Sequence, residues 1–261
     1  MRSIFQCVCL GLLATLLLAA PAADAGEIIQ QGGLRVESDA KLSPSALPRE
    51  GLAPVAVSIG GEISTADGST PPQLRSITIQ INRHGHFDYA GLPTCPLSRI
   101  QPGSTTHALA SCRASLVGQG HFSANSLVAG SPLPTQGRLL LFNGREHGRP
   151  VLFGHIYATQ PFVSSSVIPF RMLQKPRGEF GTELSANLAA ALGSRDYLTG
   201  IEMTLKRSFR VAGKPHSYLS AGCPAPKGFS SVAFPLARVS YTFAGGPTLS
   251  QVITRNCEVR G

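Results

Sequence analysis

Several common chemistries lack their sequence signatures in this chain of 261 residues. There is no tryptophan, and Asp and Glu together number only 14. Glycoside hydrolysis needs two carboxylates that face a sugar cleft, and aromatic faces commonly hold the sugar rings. The glycine-rich phosphate loops, the Gly-x-Ser-x-Gly elbow and, beyond residue 25, the Cys-x-x-Cys pair are also missing. These absences argue against glycosidase, nucleotide-binding, serine-hydrolase and thiol-redox functions.

Long apolar runs are likewise absent after residue 25. A helix needs about 20 apolar residues to cross a bilayer, so we expect no transmembrane segment in the mature chain. Charged residues make up only 14% of the chain, while hydrophobic residues make up 43%. This hydrophobic content is too high for a disordered protein. The composition therefore indicates a folded protein with a core of ordinary size.

Turn-forming residues are abundant, with 28 glycines and 20 prolines. Between them, apolar and polar residues alternate with period two, as in 77–82, 201–205 and 239–243. The helical candidate is the segment 104–112, which starts with a cluster of Ser and Thr capable of capping a helix. The pattern predicts an all-β fold, mainly an antiparallel β-sandwich or jelly-roll, with at most one or two short helices.

The first 25 residues resemble a signal peptide. Arg2 precedes an apolar stretch over 10–20, and the small residues at 23–25 fit a cleavage site. A buried N-terminal helix is the alternative, but Pro21 argues against its continuation. We then expect a flexible leader over 26–51 and a single β-rich domain over 52–261. A faint internal repeat raises the alternative of two pseudo-repeated halves, about 52–130 and 136–261.

Export would leave four cysteines in the mature chain. An even number in an exported protein predicts two disulfide bonds, although four cysteines allow three connectivities. Loop closure favours partners that are close in sequence. The preferred pairs are therefore Cys95–Cys112 and Cys223–Cys257, in a protein secreted to the cell envelope or the extracellular space.

One local cluster has the residue types of a metal site. His84, His86 and Asp88 are two residues apart, so they would share one face of an extended strand. Further ligands would be needed, and His107, His121 and His155 are the candidates. The alternative is a solvated hairpin tip, which the sequence favours because 82–91 has the composition of a turn. We expect no cofactor.

A second cluster is basic. Lys206, Arg207, Arg210 and Lys214 have no acidic residue among them, and the whole chain carries a net charge of +9. Gathered on one face, these side chains would attract anionic polymers in a salt-dependent way. Scattered positive charge at strand edges, where it deters aggregation, is the alternative. No motif indicates specific nucleic-acid recognition.

Two stretches, Leu141-Phe-Asn-Gly-Arg145 and Tyr218-Leu-Ser-Ala-Gly-Cys-Pro-Ala-Pro226, resemble an uncharacterised family of exported bacterial proteins rich in β-structure. The resemblance covers most of the mature chain. It implies export and paired cysteines, and it brings no known activity to this chain.

The sequence favours a secreted, non-enzymatic binding or structural protein that contacts anionic envelope polymers or another secreted protein. Missing catalytic motifs, scarce acids and oxidised thiols support this hypothesis. The alternative is a secreted hydrolase, metal-dependent through His84 and His86, with a site assembled from residues far apart in sequence.

Overall fold

The computed structural model describes residues 26–193, 196–246 and 248–260, and these residues are mainly β-strand. The predicted signal peptide lies outside them. Two short helices are present, α1 (Thr105–Cys112) and α2 (Leu188–Leu192). The strands are β1 (Glu27–Gln31), β2 (Leu34–Ser43), β3 (Ala46–Leu47), β4 (Ala53–Pro54), β5 (Ala56–Thr65), β6 (Leu74–Asn82), β7 (Gly85–Phe87), β8 (Leu116–Val128), β9 (Ser131–Glu146), β10 (Arg149–Ala158), β11 (Ser164–Gln174), β12 (Phe180–Asn187), β13 (Asp196–Leu205), β14 (Ser208–Val211), β15 (Lys214–Ser217), β16 (Leu219–Ala221), β17 (Ser231–Phe243) and β18 (Thr248–Val259).

Thirteen of these strands form one continuous sheet, in the order β1-β2-β5-β13-β8-β9-β10-β11-β12-β6-β17-β18-β3. Its neighbouring strands are antiparallel, apart from the parallel pair of β18 with β3. Two smaller sheets have the orders β4-β16-β7 and β14-β15. The predicted all-β class with short helices is confirmed. The two facing sheets of a sandwich or jelly-roll are not confirmed, because the large sheet is continuous.

The large sheet curls until its first strands meet one of its last. On β18, the backbone N–H of Thr254 donates to Oε1 of Glu27 on β1, at 2.9 Å. The neighbouring guanidinium of Arg255 contacts the carboxylates of Glu27 and Asp39 and the carbonyl oxygen of Ala40. We call this contact of β1 and β2 with β18 the closure seam. Because the sheet meets itself there, its concave face surrounds an apolar core.

Strand β2 corrects the predicted flexible leader over 26–51. It pairs along its whole length with β5, and its residues are alternately buried and more exposed. A strand with one face toward a core needs this period of two. The Gly, Ser and charged residues of 26–51 obscure this alternation in the sequence. The buried positions are Leu34, Val36, Ser38, Ala40 and Leu42.

A second apolar cluster lies on the outer face of β9, β10 and β11, beneath α1. This cover explains why β9 and β10 contain consecutive buried residues, such as those at 139–144 and 151–156. Helix α1 begins as predicted, with the Ser104 side chain accepting a hydrogen bond from the backbone N–H of His107. The cluster consists of Cys95, Ile100, Ala108, Cys112, Leu140, Phe142, Val151, Phe153 and Val167.

Both preferred disulfides are present in the structure. Cys95–Cys112 ties the segment before α1 to the end of that helix, and so holds the cover on the outer face. Cys223–Cys257 joins the chain after β16 to β18. Since β16 belongs to the small sheet β4-β16-β7, the second bond fastens this small sheet to the last long strand of the large sheet.

Candidate ligand cavity

The concave face of the large sheet encloses a cavity of about 140 Å³. Alternate residues of several strands point into it, because side chains on a strand leave opposite faces in turn. An engineered protein cavity of about 150 Å³ with an apolar lining stays dry and binds benzene. The present cavity is therefore large enough for a small ring or a short branched chain. Its lining includes Val36, Leu42, Val57, Ile59, Ile79, Ile81, Leu152, Phe170, Leu184, Ile201, Met203, Val239 and Ile253.

The small sheet β4-β16-β7 forms part of the cavity wall. Phe87, Leu219 and Ala221 of this sheet line the cavity and are buried. The Phe87 ring packs edge-on against the buried ring of Tyr218, with 5.6 Å between the ring centroids. The disulfide Cys223–Cys257 lies two residues beyond β16, so it holds this part of the wall in place.

The cavity has a polar corner beside the closure seam. The hydroxyl groups of Ser38 on β2 and Tyr241 on β17 are 2.5 Å apart, and both residues line the cavity. Burial raises the pKa of Tyr241, although the hydrogen bond from Ser38 partly opposes that rise. The tyrosine therefore stays protonated at neutral pH and can act as a hydrogen-bonding group without charge.

Gln251 lies near this corner but is not among the residues that line the cavity. It lies directly opposite Val239 in the β17–β18 pair, so its side chain leaves the sheet on the face that lines the cavity. Only 9% of Gln251 is exposed, yet neither Oε1 nor Nε2 has a hydrogen-bond partner among the described residues. The amide is close enough to the Tyr241 hydroxyl to lower its pKa. A buried amide without partners costs about 1–3 kcal/mol per group, so Gln251 is an unusual residue for this position.

Two titratable residues also line the cavity. Glu62 and His86 are both largely exposed to solvent. General acid–base catalysis would require a titratable group within hydrogen-bond reach of a bound molecule. The buried polar side chains that line the cavity include Ser38 and Tyr241, which are both uncharged at neutral pH. The apolar lining is suited to holding an apolar molecule.

A wider groove of about 570 Å³ lies on the outer face of β6, β11 and β12. Ser76, Thr78 and Ser185 supply hydroxyl groups, and Arg171 at its border is paired with Glu146 at 3.1 Å. Within the described ranges, no buried polar atom without a partner lines this groove. The inner cavity is the stronger candidate because it lies in the core and its lining is almost entirely apolar.

The predicted metal ligands are not gathered into one cluster. His84 and His86 are exposed beside and within β7, whereas Asp88 accepts a hydrogen bond from Nδ1 of His216 at 2.7 Å. His155 is buried beneath α1, where its Nε2 lies 2.9 Å from the carbonyl oxygen of Gly103. Across residues 26–193, 196–246 and 248–260, no group of three His, Cys, Asp or Glu side chains is placed to hold a metal ion. The metal site stays a prediction.

The basic cluster is divided by the hairpin that carries it. In the β14–β15 pair, Arg210 lies opposite Pro215, and Lys214 lies opposite Val211. Opposed residues share a face and successive residues alternate, so Arg210 and Lys214 lie on opposite faces of this two-stranded sheet. Arg207 points back toward the protein, with Nη2 at 3.3 Å from the carbonyl oxygen of Ala114. Lys206 is exposed. The hairpin does not present the four cations as one surface.

No protein-family model, curated protein or solved structure matches the chain. The resemblance of 141–145 and 218–226 to exported bacterial proteins therefore stays a prediction. In the part of the chain that the structure describes, no helix combines the length and apolar character needed to cross a membrane.

Sequence reasoning missed the polar corner and the Arg255 contacts. One signal was available, because Gln251 and Arg255 occupy inward positions of an alternating strand whose other inward residues are Leu249, Ile253 and Cys257. Polar residues at core-facing positions of a strand need partners or a function. The carboxylate partners of Arg255 lie more than 200 residues away, and no local pattern indicates them.

Proposed function

We propose that the protein is a secreted, non-enzymatic binding protein that encloses a small apolar molecule inside its curled sheet. The observation that carries this proposal is the apolar cavity of about 140 Å³ within the core. Well-packed cores contain few voids larger than a water molecule. An empty apolar cavity of this size lowers stability, so its presence in the core favours a role as a binding site.

Secretion is part of the proposal. Its support is the expected signal peptide over 1–25, together with the two disulfides, which are consistent with an extracellular protein. Rigid walls favour binding, because a preformed site avoids the cost of ordering side chains when the ligand arrives. The two disulfides supply such rigidity at the small sheet and at the α1 cover.

Benzene is the probe that tests the cavity. We expect saturable binding to the purified protein with both disulfides intact, measured by calorimetry. Binding to the folded state alone should also raise the free energy of unfolding by about 1.4 kcal/mol at a free benzene concentration ten times the Kd. Absence of saturable binding and of stabilisation would contradict the proposal.

A pair of variants on β2 places the binding inside the cavity. Ala40 is buried and lines the cavity, whereas Lys41 is exposed on the other face of the strand. Ala40→Leu adds three carbon atoms to the cavity and should weaken benzene binding at least tenfold. Lys41→Leu adds a similar apolar group outside and should leave the affinity unchanged. Equal affinities in both variants would place the bound benzene elsewhere.

A further inference from the structure

We propose that residues 95–112 form an acid-sensitive flap, which His155 holds against the outer face of the large sheet. We call these residues the cover loop. It carries α1, and the disulfide Cys95–Cys112 closes it at both ends. The inference goes beyond the proposed function, because the cover loop lies on the outer face of the sheet and the cavity lies on the inner face.

Hydrogen bonds attach the cover loop to the sheet at one glycine. The carbonyl oxygen of Gly103 accepts from Nε2 of His155 at 2.9 Å and from Oγ of Ser165 at 2.7 Å. The backbone N–H of Gly103 donates to the same Ser165 oxygen at 3.2 Å. Within the described ranges, no other hydrogen bond joins residues 96–111 to the strands beneath them. The rest of this contact is apolar.

His155 places a titratable ring in the middle of this contact. The residue is 0% exposed. Burial lowers the pKa of His155, the hydrogen bond to Gly103 partly opposes that change, and the nearby His107 lowers the pKa further. The ring is therefore neutral at pH 7.5 while the cover loop is closed. Opening of the loop would expose the ring to water and restore its ordinary pKa of 6.5.

No carboxylate is placed to stabilise a charged ring at this position. The segment 95–115 contains no acidic residue. Strands β9, β10 and β11 contain one, Glu146, which pairs with Arg171. It ends β9, about 20 Å along the strand from Leu140, the residue opposite His155. The other charged or titratable residues of 95–115 are Arg99, His107 and Arg113, and those on the outer face of the strands are Arg138, Arg149 and Tyr157.

Acid should therefore open the cover loop. The open loop binds a proton at His155 more tightly than the closed loop does, so a fall in pH favours the open state. With a pKa of 6.5 in the open state, the open population should rise by at most about 30-fold between pH 7.5 and 5. The disulfide keeps the opened loop attached. The buried apolar residues that opening exposes include Leu140, Phe142, Phe153 and Val167.

Hydrogen exchange of the full chain, with both disulfides intact, measures this opening. The N–H of Ala108 is a suitable reporter because the residue is 0% exposed and donates to the Ser104 carbonyl within α1. After correction for the intrinsic effect of pH on exchange, its opening constant should rise at least tenfold from pH 7.5 to 5. The amides of the β17–β18 pair should give smaller opening constants at both pH values, since the large sheet stays closed. A smaller rise at Ala108, or equal opening constants in α1 and in β17–β18, would overturn the inference.

A pair of histidine variants assigns the pH dependence. Gln has an amide that can donate to Gly103 and does not gain a proton, so His155→Gln should reduce the rise at Ala108 to less than threefold. His84 is exposed beside β7, and His84→Gln should leave the rise unchanged. A rise of the same size in both variants would show that His155 is not the group that responds to acid, and would overturn the inference.

A third variant tests the attachment at Gly103 and keeps the inference falsifiable if His155→Gln does not fold. Ser165→Ala removes the hydroxyl group that bonds to Gly103 and leaves His155 in place. It should raise the opening constant of Ala108 about fivefold at both pH values, and so preserve the rise between them. An opening constant that Ser165→Ala does not change would show that the cover loop is held elsewhere, and the inference would fail.

Discussion

Replacing Arg255 with methionine should lower the unfolding free energy more than removing an exposed ion pair on the same strands would. Arg255 is 6% exposed, and its guanidinium contacts two carboxylates, Glu27 at 2.6 Å and Asp39. It also donates to the carbonyl oxygens of Ala40 and Thr254. Methionine keeps the apolar stem of the side chain and removes every one of these donors.

The size of the effect follows from how well water can reach the groups left behind. Removing one partner of a buried ion pair typically costs about 3–5 kcal/mol, because the other charge stays buried. The side chains of Glu27 and Asp39 are 24% and 47% exposed, so water can solvate both carboxylates once Arg255 is gone. The cost should therefore fall at the lower end, at about 3 kcal/mol of unfolding free energy.

Equilibrium unfolding in urea, with both disulfides intact, measures this cost. Arg35→Met is the matched control, since Arg35 pairs with Glu37 on β2 at 3.0 Å, with side chains 43% and 45% exposed. That exposed pair should contribute less than about 1 kcal/mol. If Arg255→Met and Arg35→Met lower the unfolding free energy equally, the Arg255 contacts across the closure seam contribute no more than a surface ion pair. That result would refute the reasoning.

Two further predictions concern the disulfides and pH. The double variant Cys223→Ala/Cys257→Ala opens a loop of 34 residues and should lower the unfolding free energy by about 4 kcal/mol. The double variant Cys95→Ala/Cys112→Ala opens a loop of 17 residues and should lower it by about 3 kcal/mol. If urea unfolding gave the reverse order, loop entropy would not explain the two stabilisations. Burial lowers the pKa of His155 below its ordinary 6.5, so the unfolded chain binds more protons there and stability should fall as pH drops from 7.5 to 5. His155→Gln should reduce this slope, and an unchanged slope would show that other groups cause it.

Much of the local structure was readable from the sequence because local structure depends on neighbouring residues. The segment 77–82 alternates in its side chains and forms most of β6, and 239–243 ends β17. The capping Ser104 begins α1 as expected. The leader was wrongly predicted because its alternation carries short and polar residues, among them Ser38, at buried positions.

The sequence by itself determined that this protein is built from strands and where α1 begins, because these depend on short-range periodicity and capping. It favoured the observed cysteine pairs through loop closure but left three connectivities open. Only the tertiary structure decided that one sheet would curl until β1 and β2 reached β18. That closure places Ser38 against Tyr241, 203 residues away, and Glu27 against Arg255, 228 residues away. The alternation within a strand specifies which side chains face inward, but it does not specify which strands lie beside it in the sheet. The cavity and its polar corner therefore arise from strand order and curvature.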